Sequence, residues 1–250
     1  MTRFTNQVAF LTGAASGVGR ATALRLASEG ATVYGVDINE EGLAETAELA
    51  SAAGTTMTTR RMDVTSIAEI RDAVADCVAQ HGGIDVVGNI AGIAFQRHLA
   101  DVTEQDWDLM NDINLKGPFF VAQATIPHLL ERNGALINIA SNAGLMGQAY
   151  TVPYCATKGG IVNMTRALAM EFIRTELRVN AIAPGGIDTP LHQNFQLADG
   201  IDFEIMQNHV GYRPPSSPEQ VASFFAFLAS DEARNIHGSI LSADGGLTAA

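Results

Sequence analysis

Seven short apolar runs, alternating with longer stretches of helical spacing, constrain this chain more than any single motif. They are VAFLT at 8–12, TVYGVD at 32–37, TMTTRRMDV at 56–64, IDVVGN at 84–89, ALINIA at 135–140, LRVNAIA at 177–183 and SILSADGG at 239–246. Several are apolar almost throughout, as strands covered by helices on both faces should be. Helical stretches fit between them, for example 17–29, which stops at Gly30, and 40–53, which stops at Gly54. Thr103 and Asp106 have the spacing of a capping box before a helix near 104–112. Strands alternating with helices predict an α/β fold with a doubly wound, seven-stranded parallel sheet flanked by helices. No linker or repeat divides the 250 residues, so one domain over 1–250 is expected.

The first strand runs into LTGAASGVGR, which holds Gly13, Gly17 and Gly19. A glycine-rich turn into a helix N-terminus brings free N–H groups and the positive end of the helix dipole to one place, where a pyrophosphate binds well. Glycine lets the backbone approach the ligand without a Cβ in the way. Plain turns also use glycine, and the spacing is not the commonest dinucleotide fingerprint. The position between a first strand and a first helix favours the dinucleotide reading, and with it a Rossmann fold. Asp37 ends the second strand, where a carboxylate can accept from ribose hydroxyls and repel a 2′-phosphate. No Lys or Arg occupies 14–16 or 38–39. The plainer reading of Asp37 is a turn residue capping the next helix.

Charge removes other classes. With 15 Lys and Arg against 27 Asp and Glu, the chain carries a net charge of −12 and suits neither nucleic acid nor an anionic membrane. Cys77 and Cys155 form no CxxC or Cys/His cluster, so neither a metal site nor a disulfide framework is expected. Cys155 follows Tyr154 directly, but no His lies in the same segment, and a buried structural thiol is the better reading. No signal-peptide pattern or membrane-length apolar run occurs, which points to the cytoplasm.

One stretch remains unexplained: SNAGLMGQAYTVPYCATK at 141–158. Tyr154 and Lys158 lie four apart, on one face of a helix. Ser141 closes a strand upstream, across a Gly- and Pro-containing segment. Spacing alone does not say why the three should meet.

In order along the chain, TGAASGVG at 12–19, DV at 63–64, NIAG at 89–92, NLKG at 114–117, INIAS at 137–141, YCATK at 154–158 and PGGIDT at 184–189 resemble the motifs of the compact, single-domain short-chain dehydrogenase/reductases. The resemblance covers nearly the whole chain. It implies a catalytic set of Asn114, Ser141, Tyr154 and Lys158. It implies a cofactor site at Gly13, Ser16, Gly17, Val18, Gly19, Asp37, Asp63, Val64, Asn89, Ala91, Gly92, Pro184, Gly185, Ile187 and Thr189, with Tyr154 and Lys158 shared. Two positions depart from the pattern: Ile90 stands for the second Asn of N-N-A-G, and Ala140 for the first Ser of the usual pair.

A free phenol titrates near 10, too high for a base at neutral pH. An ammonium about 4 Å away, at an effective dielectric of ~20, favours phenolate by ~4 kcal/mol, or roughly 3 pKa units. Lys158 is therefore expected to bring Tyr154 toward neutrality, with an oxidised nicotinamide adding further positive charge. Ser141 would hydrogen-bond the substrate oxygen. By resemblance, Lys158 also holds the nicotinamide ribose, and Asn114 orders a water that links Lys158 to solvent.

The expected activity is NAD(H)-dependent interconversion of a secondary alcohol and a ketone, with no metal. An NADPH-dependent 3-oxoacyl reductase and a non-catalytic dinucleotide sensor are the alternatives. Asp37 and the scarcity of basic residues weigh against the first, and the full Asn, Ser, Tyr and Lys set against the second. A substrate lid is expected over about 187–217, with apolar surface from Leu191, Phe195, Leu197, Ile201, Phe203, Ile205, Met206, Val210 and Tyr212. Its carboxylates favour an uncharged, apolar or cyclic alcohol. The resemblance also implies a homotetramer, paired through long helices at about 104–132 and 154–175 and the C-terminal strand region.

Overall fold

The computed structural model describes residues 2–193, 198–207, 209–211 and 213–249. The expected residues Phe195, Leu197 and Tyr212 of the lid lie outside them. Seven parallel strands form one sheet in the order β3-β2-β1-β4-β5-β6-β7: β1 Val8–Thr12, β2 Thr32–Asp37, β3 Met57–Arg61, β4 Val86–Asn89, β5 Ala135–Ile139, β6 Arg178–Pro184 and β7 Ile240–Ala243. The order reverses between β1 and β4. That reversal opens a crevice at the C-terminal ends of the strands, the place where such sheets bind ligands.

Alternation along the strands fills two cores. Ala9 and Leu11 of β1 face one side, against α1 (Gly17–Ser28) and α9 (Pro218–Ala229). Phe225 of α9 is fully buried there. Val8 and Phe10 face the other side, against α3 (Ile67–His81), α5 (Gly117–Arg132) and α6 (Val152–Glu171). Helix α2 (Glu40–Ala52) sets Leu43 against Ala14 and Ala15, backing the glycine loop.

Three boundaries differ from expectation. The third run yields only five strand residues, because β3 is a half-exposed edge strand. The last run ends as a strand at Ala243, where the Asp244 carboxylate accepts from Gly246 N and Thr248 N and turns the chain. The helix expected over 104–132 is two helices. Its first part, α4 (Glu104–Asn111), has the capping box: Thr103 Oγ1 accepts from Asp106 N, and Asp106 Oδ2 from Thr103 N. A wider π turn over Asp112–Lys116 then separates it from α5. Pro118, in the first turn of α5, lacks the N–H that an unbroken helix would direct at the Asn114 carbonyl.

Arg178 at the start of β6 is buried, and its guanidinium donates to the carbonyls of Leu228, Ala229 and Ala233. It satisfies the end of α9, whose last carbonyls have no partner within the helix. Arg178→Met should lower the unfolding free energy by about 3 kcal/mol, because buried carbonyls lose their donor. Urea titration followed by circular dichroism measures this.

Candidate active site

The crevice begins where two backbones touch. Gly13 (φ +72°) lies so close to β4 that a Cβ there would stand 2.9 Å from Ala91 N. Thr12 Oγ1 accepts from Ile90 N at 3.0 Å and Ala91 N at 3.1 Å, tying the ends of β1 and β4 together. A Cβ at Gly19 would stand 1.9 Å from the Gly13 carbonyl, so the loop closes on its own helix only with glycine there. Ser16, the N-cap of α1, makes no side-chain capping bond. That first turn keeps N–H groups for an outside acceptor.

Asp37 holds the loop from the other side. Its Oδ2 accepts from Ala15 N at 3.2 Å and its Oδ1 from Asn39 N at 3.0 Å, where Asn39 caps α2. Both sequence readings of Asp37 thus have a structural counterpart: it lies in the helix-capping turn and on the wall of the crevice. The neighbouring cations are occupied. Arg20 donates to the Ala15 and Gly42 carbonyls and pairs with Glu45 at 2.6 Å. Arg60 pairs with Asp76, and Arg61 with Glu69.

The cavity holds about 340 Å³. Its wall includes Gly13, Ser16, Gly17, Val18, Gly19 and Asp37 from the first two strand–helix junctions. Asp63, Val64, Ala91 and Gly92 follow from the next two, then Ser141, Tyr154 and Lys158, and finally Pro184, Gly185, Ile187 and Thr189 beyond β6. Two expected residues sit behind the wall. Asn89 donates to the Pro118 carbonyl and to Asn138 Oδ1, bracing β4 against β5. Asn114, in the π turn, accepts from Ile93 N and donates to the Ile93 carbonyl, both at 2.8 Å. It reaches the cavity through Gly92, where a Cβ would stand 3.1 Å from Asn114 Oδ1 and 3.7 Å from Lys158 Nζ.

The wall also contains Leu191, expected as part of the lid, and Ile38, Met62, Ile93 and Ile113, which sequence reasoning did not assign to the site. Apolar residues there read like any core residue. Ile38, just past the buried β2, is 58% exposed in the structure, which the sequence did not signal. Ile90, the departure from N-N-A-G, lines the cavity and packs against the first core. Ala140, the other departure, is buried on the wall beside Ser141. Cys155 is half-buried, its Sγ 3.5 Å from Thr151 Oγ1.

Tyr154 and Lys158 share the inner face of α6, as their spacing requires. Their electrostatics differ from expectation. Lys158 Nζ lies 5.7 Å from the centre of the Tyr154 ring and donates to the Ile139 carbonyl at 2.8 Å. Burial pushes the Lys158 ammonium down to about 8. Burial also pushes the Tyr154 phenol above its ordinary value, and the Ser141 hydroxyl pulls it back only in part. In the cofactor-free chain, desolvation is the largest influence on the phenol and raises it, against the expected direction.

Beyond β6, Ile187 and Ser216 form a parallel bridge that fixes the base of the intervening segment. The short helices α7 (Pro190–Gln193) and α8 (Phe203–Gln207) follow the bridge, and Phe203, Ile205 and Val210 are exposed. The segment leans on the rest of the molecule through Tyr150, whose hydroxyl accepts from Asp202 N, and through His98, whose Nε2 meets the Asp199 carbonyl at 2.8 Å.

A glycine loop at the strand reversal, an uncapped helix N-terminus and a carboxylate at the end of β2 define a dinucleotide-binding α/β protein. The family model for enoyl-(acyl carrier protein) reductase matches residues 13–248. The 3-oxoacyl-(acyl-carrier-protein) reductase of Thermotoga maritima is 37% identical over 98% of this chain and 99% of its own. The 2,5-dichloro-2,5-cyclohexadiene-1,4-diol dehydrogenase of Sphingobium indicum is 36% identical over 98% and 97%. A short-chain dehydrogenase from Mycobacterium paratuberculosis, solved with NAD bound, superposes with a TM-score of 0.91 at 29% identity, covering 99% of this chain and all of that one. The chain belongs to the short-chain dehydrogenase/reductase family of oxidoreductases.

The depressed Lys158 value has a consequence for stability. The folded state holds this lysine at about 8 against an ordinary 10.5, so between those values the unfolded chain binds more protons. The cost of burying the charge is complete below pH 8 and fades as pH rises to 10.5. The stability gap between the cofactor-free protein and Lys158→Met should therefore shift in favour of the wild type by about 3 kcal/mol across that window. Denaturant unfolding at a series of pH values measures it.

Proposed function

We propose that this protein is an NAD(H)-dependent oxidoreductase that interconverts a secondary alcohol and a ketone, on an apolar or cyclic substrate. One observation carries the cofactor reading. Among the described residues that line the cavity, Lys158 is the sole cationic side chain, while Asp37 and Asp63 are carboxylates. A 2′-phosphate would meet a carboxylate with every neighbouring arginine already paired. The NAD-bound relative of known structure supports the same choice.

When bound, the nicotinamide supplies the hydride acceptor or donor. Tyr154 takes the alcohol proton at its phenol oxygen and returns it in reduction. Ser141 bonds the same substrate oxygen. Lys158 gives one of its three N–H bonds to the Ile139 carbonyl, which leaves donors for a ribose, and Asn114 fixes the Ile93 backbone beside it. The segment over about 187–217 acts as a lid that shields the reaction from water. Its Asp199, Asp202 and Glu204 disfavour a highly anionic substrate, and the 2,5-dichloro-2,5-cyclohexadiene-1,4-diol dehydrogenase relative supports a cyclic one. Trp107, Leu109, Phe119, Val152 and Met170 of α4–α6, and Ile173 just beyond α6, are exposed and suit burial against further copies, in keeping with a homotetramer. The 3-oxoacyl reductase relative favours a second reading, NADPH-dependent reduction of carrier-bound acyl groups. A net charge of −12 opposes docking of an acidic carrier.

The two readings part on kcat/KM for the two cofactors. NAD⁺ should exceed NADP⁺ by about 100-fold, and parity or an NADP⁺ preference rejects the first reading. Tyr154→Phe should abolish turnover of the alcohol panel while NADH binding, followed by fluorescence, stays near the wild-type value. Substantial residual turnover would remove Tyr154 from the acid–base role.

A further inference from the structure

The loop of residues 142–153 must bring a strand-end hydroxyl to a helix-borne phenol, and one side chain ties its two halves. Gln148 Nε2 donates to Asn142 Oδ1 at 3.1 Å, and the Gln148 carbonyl accepts from Thr151 Oγ1 at 3.1 Å. Thr151 opens α6, three residues before Tyr154. Asn142 Oδ1 also accepts from Ser141 Oγ at 3.1 Å, and Ser141 Oγ accepts from Ala143 N at 3.1 Å. Ser141 and Asn142 are both buried. The Asn142 carbonyl is pinned by Leu145 N and Met146 N. A Cβ at Gly144 would stand 2.6 Å from the Lys158 carbonyl, so the loop lies flat on α6.

A hydroxyl has one hydrogen and two lone pairs. In this arrangement the Ser141 hydrogen points at Asn142 and one lone pair accepts from Ala143. A substrate oxygen would then meet only the remaining lone pair, and two oxygen lone pairs repel. Turning both carboxamides exchanges oxygen for nitrogen at each contact without moving the heavy-atom frame. Among the described residues, Asn142 and Gln148 have no other side-chain amide bond that opposes the turn. In the turned state one Asn142 N–H donates to the Gln148 oxygen and the other to Ser141 Oγ. Both lone pairs of Ser141 are then filled, and its hydrogen is left for Tyr154 or a substrate oxygen.

We propose that the Asn142–Gln148 amide pair is a positioning device whose orientation decides whether Ser141 donates to the substrate oxygen, and that turnover uses the turned state. This rests on the oxidoreductase reading given above. Neither side chain touches the reacting atoms, so both act through Ser141.

Two near-isosteric variants add the same negative charge one hydrogen bond apart, and so separate the direction of the hydrogen from the effect of charge. Asn142→Asp presents only acceptors and captures the Ser141 hydrogen. Gln148→Glu presents only acceptors and holds Asn142 with its NH2 group toward both neighbours. Both would be assayed on the alcohol that the wild type oxidises fastest, with NADH affinity followed by fluorescence. Asn142→Asp should be slower in kcat than Gln148→Glu by about 100-fold, the effect of losing one donor to a reacting oxygen. The two NADH dissociation constants should agree. Equal kcat values, or a gap in the opposite sense, overturn the proposal and leave the oxidoreductase reading standing. No wild-type turnover across the alcohol and ketone panel overturns that reading, and the proposal with it.

Discussion

The ends of β1 and β4 meet with no room for a side chain, and the cavity is arranged around that contact. Gly13 lies against the Ala91 backbone, and the Thr12 hydroxyl accepts from two successive N–H groups on the facing strand. Backbone against backbone at the strand reversal draws the glycine loop across the top of the sheet. The loop in turn presents the start of α1, uncapped, to the crevice. Asp37 then completes the arrangement by holding Ala15 N from the second strand. One close approach therefore closes the middle of the sheet and shapes the binding cleft beside it.

Much of this was legible in the chain. The runs located all seven strands, most plainly the five inner ones, because a strand covered on both faces has few positions for polar residues. The boundaries that slipped were those set from outside the segment. TMTTRRMDV reads as nine extended residues, but only the stretch that can pair with β2 forms a ladder at the sheet edge. The helix expected over 104–132 was broken by a proline whose effect falls on residues before it. In the site, glycines and charged residues were readable, since each has a local reason to be where it is. Ile38, Met62 and Ile113 were not, because an apolar side chain on a cavity wall obeys the same pattern as one in the core. Asn89 and Asn114 belong to motifs, yet both sit behind the wall they support.

The least legible quantity was acidity. From spacing, an ammonium four residues from a phenol should make the phenol more acidic. In the folded chain both groups are buried, and burial disfavours charge on each. Lys158 spends one hydrogen on the Ile139 carbonyl, and its ammonium lies over the Tyr154 ring, 5.7 Å from the ring centre. The protein accepts an unfavourable lysine in its interior, an arrangement that a fold selected for stability alone would replace with an apolar side chain. Local sequence carries spacing; it does not carry the dielectric that decides what spacing is worth.

The π turn at Asp112–Lys116 has a further meaning, as a matter of counting. A π turn holds one residue more than the helix around it needs. Lys116 pairs with Asp112 across it at 2.9 Å, and Gly117 lies where a Cβ would come within 2.8 Å of the Val64 carbonyl. Removing one residue of the turn other than Asn114 would shorten the connection between α4 and α5 while leaving Asn114 in the chain. Every side chain before the cut would then be rotated by about 100° against those after it. Asn114 would swing away from Ile93 even though it was never substituted. The geometry behind Gly92 is thus encoded partly by chain length, a kind of information that no single amino acid in the segment carries.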